Sequence, residues 1–179
     1  MVKKFVAAAL VFLLAVSLAA CIKIESADDY YGNAGGTPDS GESVLLSIEC
    51  GTVLDNWEDL DPALRDEKYV PSDGVILAKT EYAIEEGDTV FDVLSRAVRE
   101  NKIQMECRGA NANAFGSVYI EGINYLYEFS CGPLSGWMYK VNGAFPNYGC
   151  GMYELKDGDV VEWVYTCDLG RDVGIDWEM

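Results

Sequence analysis

The chain has 179 residues, with 13 Lys and Arg against 30 Asp and Glu, no histidine, and a net charge of −17. That acidity excludes a nucleic-acid binder, because Lys and Arg must replace the counterions of a phosphate backbone. It also repels anionic lipid. The missing histidine excludes Ser-His-Asp and Cys-His nucleophilic centres and any imidazole ligand to a metal.

The first element is a targeting segment. Met1-Val2-Lys3-Lys4 is basic, and the 16 residues from Phe5 to Ala20 are apolar apart from Ser17. A spanning helix needs roughly 20 apolar residues, so this run has the shape of a signal-peptide h-region. It closes on Leu18-Ala19-Ala20-Cys21, the pattern at which lipoprotein precursors are lipidated and cut. Small residues at 19 and 20 lie extended in a peptidase cleft, and the Cys21 thiol accepts a diacylglyceryl group. Residues 1–20 are expected to be removed, leaving Cys21 as the lipid anchor on the extracytoplasmic face of the cell membrane. Two or more acyl chains, at about 0.8 kcal/mol per buried CH₂, hold a protein there durably. An ordinary signal peptide cut elsewhere is the alternative. Processing removes Lys3 and Lys4 but no acid, so the charge moves from −17 to −19.

Residues 21–43 read as the lipidated cysteine and a flexible tether. Asp28-Asp29, Gly32, Gly35-Gly36, Pro38 and Gly41 leave almost nothing to bury, too little to offset ordering entropy. A coil of that length spans roughly 25 Å, enough to hold the domain clear of the lipid.

Residues 44–179 suffice for one domain with a real core. Val44 to Ile48 predicts a strand. An acidic connector over 51–73 follows, with one helical turn near Leu60. Val75 to Ala83 predicts a second strand. Thr89 and Asp92 have capping-box spacing, and Val90, Phe91, Leu94, Ala97 and Val98 recur at helical intervals, which predicts a helix over 89–101. Strands are expected over 103–106 and 115–120, then over 125–129, where Tyr125, Tyr127 and Phe129 alternate. Trp137 to Val141 is followed by Asn142-Gly143, a strong hairpin signal, and the Asp157-Gly158 turn leads into Val160 to Tyr165. The expected fold class is α+β, one helix packed on mixed β-sheet in a β-grasp-like arrangement.

Beyond Cys21 there are five cysteines, at 50, 107, 131, 150 and 167. An exported chain favours disulfides, and an odd count leaves one unpaired. Cys50 and Cys167 each follow an apolar strand, so parallel neighbouring strands bring them to one end. Cys131 and Cys150 bracket a hairpin. The expected bridges are Cys50–Cys167 and Cys131–Cys150, with Cys107 left over. No CxxC occurs, so no structural zinc site is expected, and nothing implies a cofactor.

Glu86-Gly-Asp-Thr-Val-Phe-Asp-Val-Leu94, Tyr119-Ile-Glu-Gly-Ile-Asn124, Ser135-Gly-Trp-Met-Tyr-Lys-Val-Asn-Gly143 and Tyr153-Glu-Leu-Lys-Asp-Gly-Asp-Val-Val-Glu-Trp163 together resemble the DUF4430 family. That family is similar to the C-terminal β domain of transcobalamin and intrinsic factor. In those carriers the β domain closes over one face of cobalamin while an α/α barrel holds the other. The resemblance therefore implies a transcobalamin-like fold and half of a corrinoid site, completed by a partner α/α-barrel or a transporter.

Twelve of the 21 aromatic residues lie between Phe115 and Tyr165. Tyr127, Phe129, Trp163 and Tyr165 are expected in the core. Phe145 and Tyr148 stand among turn formers, where burial is harder and binding residues concentrate. With Trp137 and Tyr139 they form the expected ligand-binding set, since flat rings with polar tips suit a planar or saccharide-like ligand. No catalytic constellation occurs. The expectation is a small-ligand-binding lipoprotein, with a cobalamin-like ligand, rather than an enzyme. The alternative is a cell-surface interaction module that binds a protein or polysaccharide.

Overall fold

The computed structural model describes residues 41–109 and 117–175. The signal segment, Cys21 and the tether to residue 40 lie outside the described residues, as do residues 115 and 116 of the strand expected over 115–120. Strand β1 (Glu42–Glu49) starts two residues inside the expected tether. Polar contacts fix that start: the Ser43 amide donates to Asp157 Oδ1 at 2.9 Å, and its hydroxyl donates to Glu81 at 2.6 Å.

Helix α1 (Gly51–Asp55) and two short 3-10 turns, Trp57–Asp59 and Pro62–Leu64, fill the acidic connector, where the sequence predicted one turn. Leu60 and Val70 anchor this segment in the core at 1% exposure each. Strand β2 (Val75–Ile84) and helix α2 (Val90–Glu100) follow close to the predicted bounds.

The start of α2 shows why its sequence folds locally. Thr89 accepts from the Asp92 amide, and Asp92 accepts from the Thr89 amide, completing the capping box. Just before it, Gly87 takes a φ of 89°, which closes the turn. Asp88 then accepts from the Glu85 amide and from both terminal nitrogens of Arg96. Arg96, 9% exposed, also donates to Ala83 O, so one buried ion pair ties the end of β2 to the helix.

Two sheets form. Strand β7 (Val160–Thr166) lies parallel to β1 and antiparallel to β6 (Gly136–Val141), giving the order β2-β1-β7-β6. Strands β3 (Met105–Arg108), β4 (Tyr119–Ile123) and β5 (Leu126–Tyr127) make a second, antiparallel sheet. The architecture is α+β, one principal helix with mixed sheet. Leu46, Ile48, Val53, Val93, Leu94, Ile123, Leu126 and Val161 are fully buried in one core.

The expectations for the 125–129 strand and for the Asn142-Gly143 hairpin need correction. The strand expected over 125–129 shrinks to Leu126–Tyr127 because Asn124 and Tyr125, with φ of 53° and 65°, form a tight turn before it. Phe129, at φ 67°, breaks the strand after it. Phe129 is therefore 63% exposed rather than in the core. Tyr127 is half-buried, its hydroxyl donating to Glu106 at 2.6 Å. Asn142-Gly143 does turn the chain, closing a single rung between Val141 and Ala144, but the partner of β6 is β7, across a long loop. Trp163 and Tyr165 are buried as expected, at 2% and 0%.

No disulfide joins any two cysteines among the described residues, and the expected Cys50–Cys167 and Cys131–Cys150 bridges are not formed. The strands β1 and β7 are parallel neighbours as predicted, with Glu49 opposite Val164. Cys50 stands one residue past that pair and Cys167 three, so the two are out of step. Cys50 is buried, and its amide donates to Gly74 O at 2.7 Å. Cys131 Sγ donates to Asn56 O at 3.4 Å, and Cys167 Sγ lies 3.9 Å from Thr52 Oγ1 on the same short helix. Cys150 donates to Val118 O at 3.6 Å, with Cys107 as its neighbouring thiol.

Candidate functional site

Strand alternation on β6 and β7 sets Tyr139 directly opposite Trp163, with ring centroids 5.5 Å apart. The Tyr139 hydroxyl donates to Tyr148 O at 2.7 Å, which holds the 144–149 loop against the sheet. The Tyr148 ring stacks on Tyr153 at 5.7 Å, and Tyr153 meets Tyr139 edge-on at 6.5 Å. Phe145 is half-buried, with Lys140 Nζ 5.0 Å from its ring centroid.

These rings border a cleft of about 480 Å³. Trp137, Tyr139, Phe145, Tyr148, Met152 and Trp163 line one side, and Val118 with Tyr119 and Ile120 of β4 line the other. A close approach shapes it: a Cβ on Gly149 would lie 2.3 Å from Ser117 Oγ, so only glycine lets the loop run this near the second sheet. All four residues expected to bind ligand therefore border one cavity.

Their exposures differ. Tyr148 is 46% exposed and Met152 57%, presenting apolar surface at the mouth. Trp137 is 9% exposed, donates from Nε1 to Leu126 O at 2.7 Å, and packs edge-on against Tyr165. It forms part of the wall while belonging mainly to the core. Sequence reasoning missed Met152 and the β4 wall, and it placed Trp163 in the core alone.

Among the described residues no Asp, Glu, Lys or Arg lines the cleft, in a chain of net charge −17. Burial pushes the Tyr139 phenol up, with the Cys150, Tyr148 and Tyr153 groups adding to the effect. Burial also raises Tyr119 to about 12, helped by its hydrogen bond to Glu128. Both phenols stay protonated at neutral pH. Cys150, on the wall, is pushed to about 12 by burial, which leaves it a poor nucleophile. Trp163 Nε1 is a polar side-chain atom of the lining that is buried without a hydrogen-bond partner among the described residues. Such orphaned donors are rare in native interiors. Across the ridge of Tyr148 and Met152 lies a second, polar hollow of about 460 Å³, bordered by Glu154, Lys156 and Asp159.

Among the described residues no cluster of His, Cys, Asp or Glu has the arrangement of a metal site. The cleft can hold an apolar or planar group by contact with its rings.

Residues 87–167 match the family described as Domain of unknown function (DUF4430). This DUF4430 segment takes in α2, β3 to β7 and every residue that lines the cleft. The resemblance expected from the motifs is met there. Among solved structures, the chain is similar to haptocorrin in complex with Cbi, with 16% identity and a TM-score of 0.46. That likeness covers 72% of this chain and 25% of the haptocorrin chain, so this chain spans about a quarter of its length. It is also similar to a protein from Ruminococcus gnavus ATCC 29149, with 9% identity and a TM-score of 0.40, covering 70% of this chain and 96% of that one. No curated protein matches the chain.

Proposed function

We propose that the chain is an extracytoplasmic lipoprotein, held to the membrane through Cys21, whose DUF4430 segment binds a small, largely apolar ligand in the aromatic cleft. A binding role, rather than catalysis, fits a lining of protonated phenols, an inert thiol and no charged side chain. The observation that carries the reading is that neutral lining in a chain with 30 acidic residues. Its volume of about 480 Å³ falls in the range of small-molecule sites.

A corrinoid is the ligand we favour. Its flat macrocycle suits contact with the rings of Tyr139, Phe145 and Tyr148. An open cleft of this size covers one face of such a ligand, so a partner α/α-barrel or a transporter would cover the other. With no histidine in the chain, the cobalt keeps its own lower base.

The test is a titration of the full chain with cobalamin, alone and beside a candidate α/α-barrel partner, read by tryptophan fluorescence and the visible spectrum. Weak saturable binding alone, tighter binding with the partner and an almost unchanged visible spectrum are expected. No saturable binding in either titration removes the corrinoid reading.

A second reading has its own observation. Phe129, Leu134 and Leu169 are 63%, 40% and 49% exposed, and hydrogen bonds from Phe129 N to Ser135 O and from Leu169 N to Leu134 O gather them at one place. That surface favours a cell-surface module that binds a protein or polysaccharide.

A further inference from the structure

The segment that carries the cleft is bounded by two cysteines whose sulfurs rest against the same short helix. Trp137, Tyr139, Phe145, Tyr148 and Trp163 all lie between Cys131 and Cys167. Cys131 Sγ donates to Asn56 O at 3.4 Å, and Cys167 Sγ stands 3.9 Å from Thr52 Oγ1. Thr52 and Asn56 are one helical turn apart, joined by the 2.8 Å bond from Asn56 Nδ2 to Thr52 O. Both sulfurs therefore rest on the same side of α1, near enough for each thiol to perturb the other's titration.

The backbones around them are fastened together on either side. Ser135 Oγ accepts from the Cys131 amide and from the Tyr165 hydroxyl, both at 3.0 Å, and Leu169 N donates to Leu134 O at 2.9 Å. The remaining cysteines are elsewhere. Cys50 is buried at the end of β1, its amide bonded to Gly74 O, and Cys150 Sγ donates to Val118 O on the cleft wall.

We propose that Cys131 and Cys167 form a disulfide that closes residues 131–167 into a covalent loop and so fixes the β6–β7 walls of the cleft. The oxidant is a low-molecular-weight or protein disulfide. One cysteine thiolate attacks a sulfur of the donor disulfide and expels one donor thiolate. The second cysteine thiolate attacks the resulting mixed disulfide and expels the other. Two cysteines are oxidised, one disulfide is reduced, and the two cysteine protons end on the two released thiols. Burial raises both Cys131 and Cys167 above the usual thiol range, so this exchange is slow once the chain is folded and fast while it folds.

The test is refolding of the full chain in detergent, in a buffer of oxidised and reduced glutathione, where access to the sulfurs is not limiting. Unreduced peptide mapping should show Cys131 linked to Cys167. Closing a loop of that length should raise Tm by about 10 °C, and dithiothreitol should reverse the rise. Cys131→Ala and Cys167→Ala, refolded alongside, should each lose both the link and the shift. Cys131 or Cys167 joined mainly to another cysteine, or both remaining alkylatable at equilibrium, would overturn the proposal.

Discussion

Trp137 shows how one side chain can sit at a site without being chiefly a binding residue. Its ring borders the cleft, yet it is 9% exposed, satisfies Leu126 O and meets Tyr165 edge-on at 5.2 Å. Trp137→Ala should therefore cost about 3–5 kcal/mol of stability, the range for buried aromatics, measured by urea denaturation. A loss under about 1 kcal/mol would show that the ring is held loosely and serves the ligand first. Tyr139, Phe145 and Tyr148 were legible as a set because rings crowd the 137–148 stretch and two of them stand among turn formers. Met152 and the double role of Trp163 were not. Both depend on the 144–152 loop folding back over β7, and that path rests on Gly149 passing within a methyl's width of Ser117. A glycine in a sequence announces freedom, not the neighbour it must avoid.

At the scale of elements, the DUF4430 motifs are largely instructions for caps and turns. Asp88 and Arg96 lock β2 to α2, Thr89 and Asp92 cap the helix, and Asn142 bridges to β7 through Asp159 and the Val160 amide. Thr89→Ala should cost about 1 kcal/mol, as N-cap deletions do, with the cleft geometry kept. Thermal denaturation with a binding assay checks both, and a stability change below about 0.3 kcal/mol would mean the cap is dispensable. The helix and the strands β1, β2, β6 and β7 were readable because capping chemistry and alternation act over a few residues. The short β5 was not. Its limits come from positive φ at Tyr125 and Phe129, residue types that give no turn signal. Motifs of this kind identify a scaffold more firmly than a task.

At the scale of the molecule, long-range register set the limit of what the sequence revealed. Parallel pairing of β1 with β7 was foreseeable, but the two-residue offset that separates Cys50 from Cys167 was not. The approach of Cys131 to Cys167 is set by the turn at 130–135 meeting the end of β7 over α1, three segments far apart in the chain. Charge tells more at this scale. The acidic surface keeps the domain off anionic lipid, so the proposed attachment depends on acylation at Cys21. Cys21→Ser should release the protein from membranes into the soluble exported fraction, followed by fractionation and intact-mass measurement. A variant that stays in the membrane and retains residues 1–20 would mean the apolar segment is itself the anchor.

The claim on which the functional account rests is that the aromatic cleft is where ligand binds. The most direct measurement is cobalamin affinity of the full chain against Phe145→Ala/Tyr148→Ala, with urea denaturation of both. Tyr148 is 46% exposed and Phe145 half-buried. The pair should therefore cost far less stability than two core aromatics, while affinity falls by about 30-fold, roughly the 2 kcal/mol of a binding hot spot. Equal affinity in the two proteins, or a binding loss that tracks unfolding, would contradict the account.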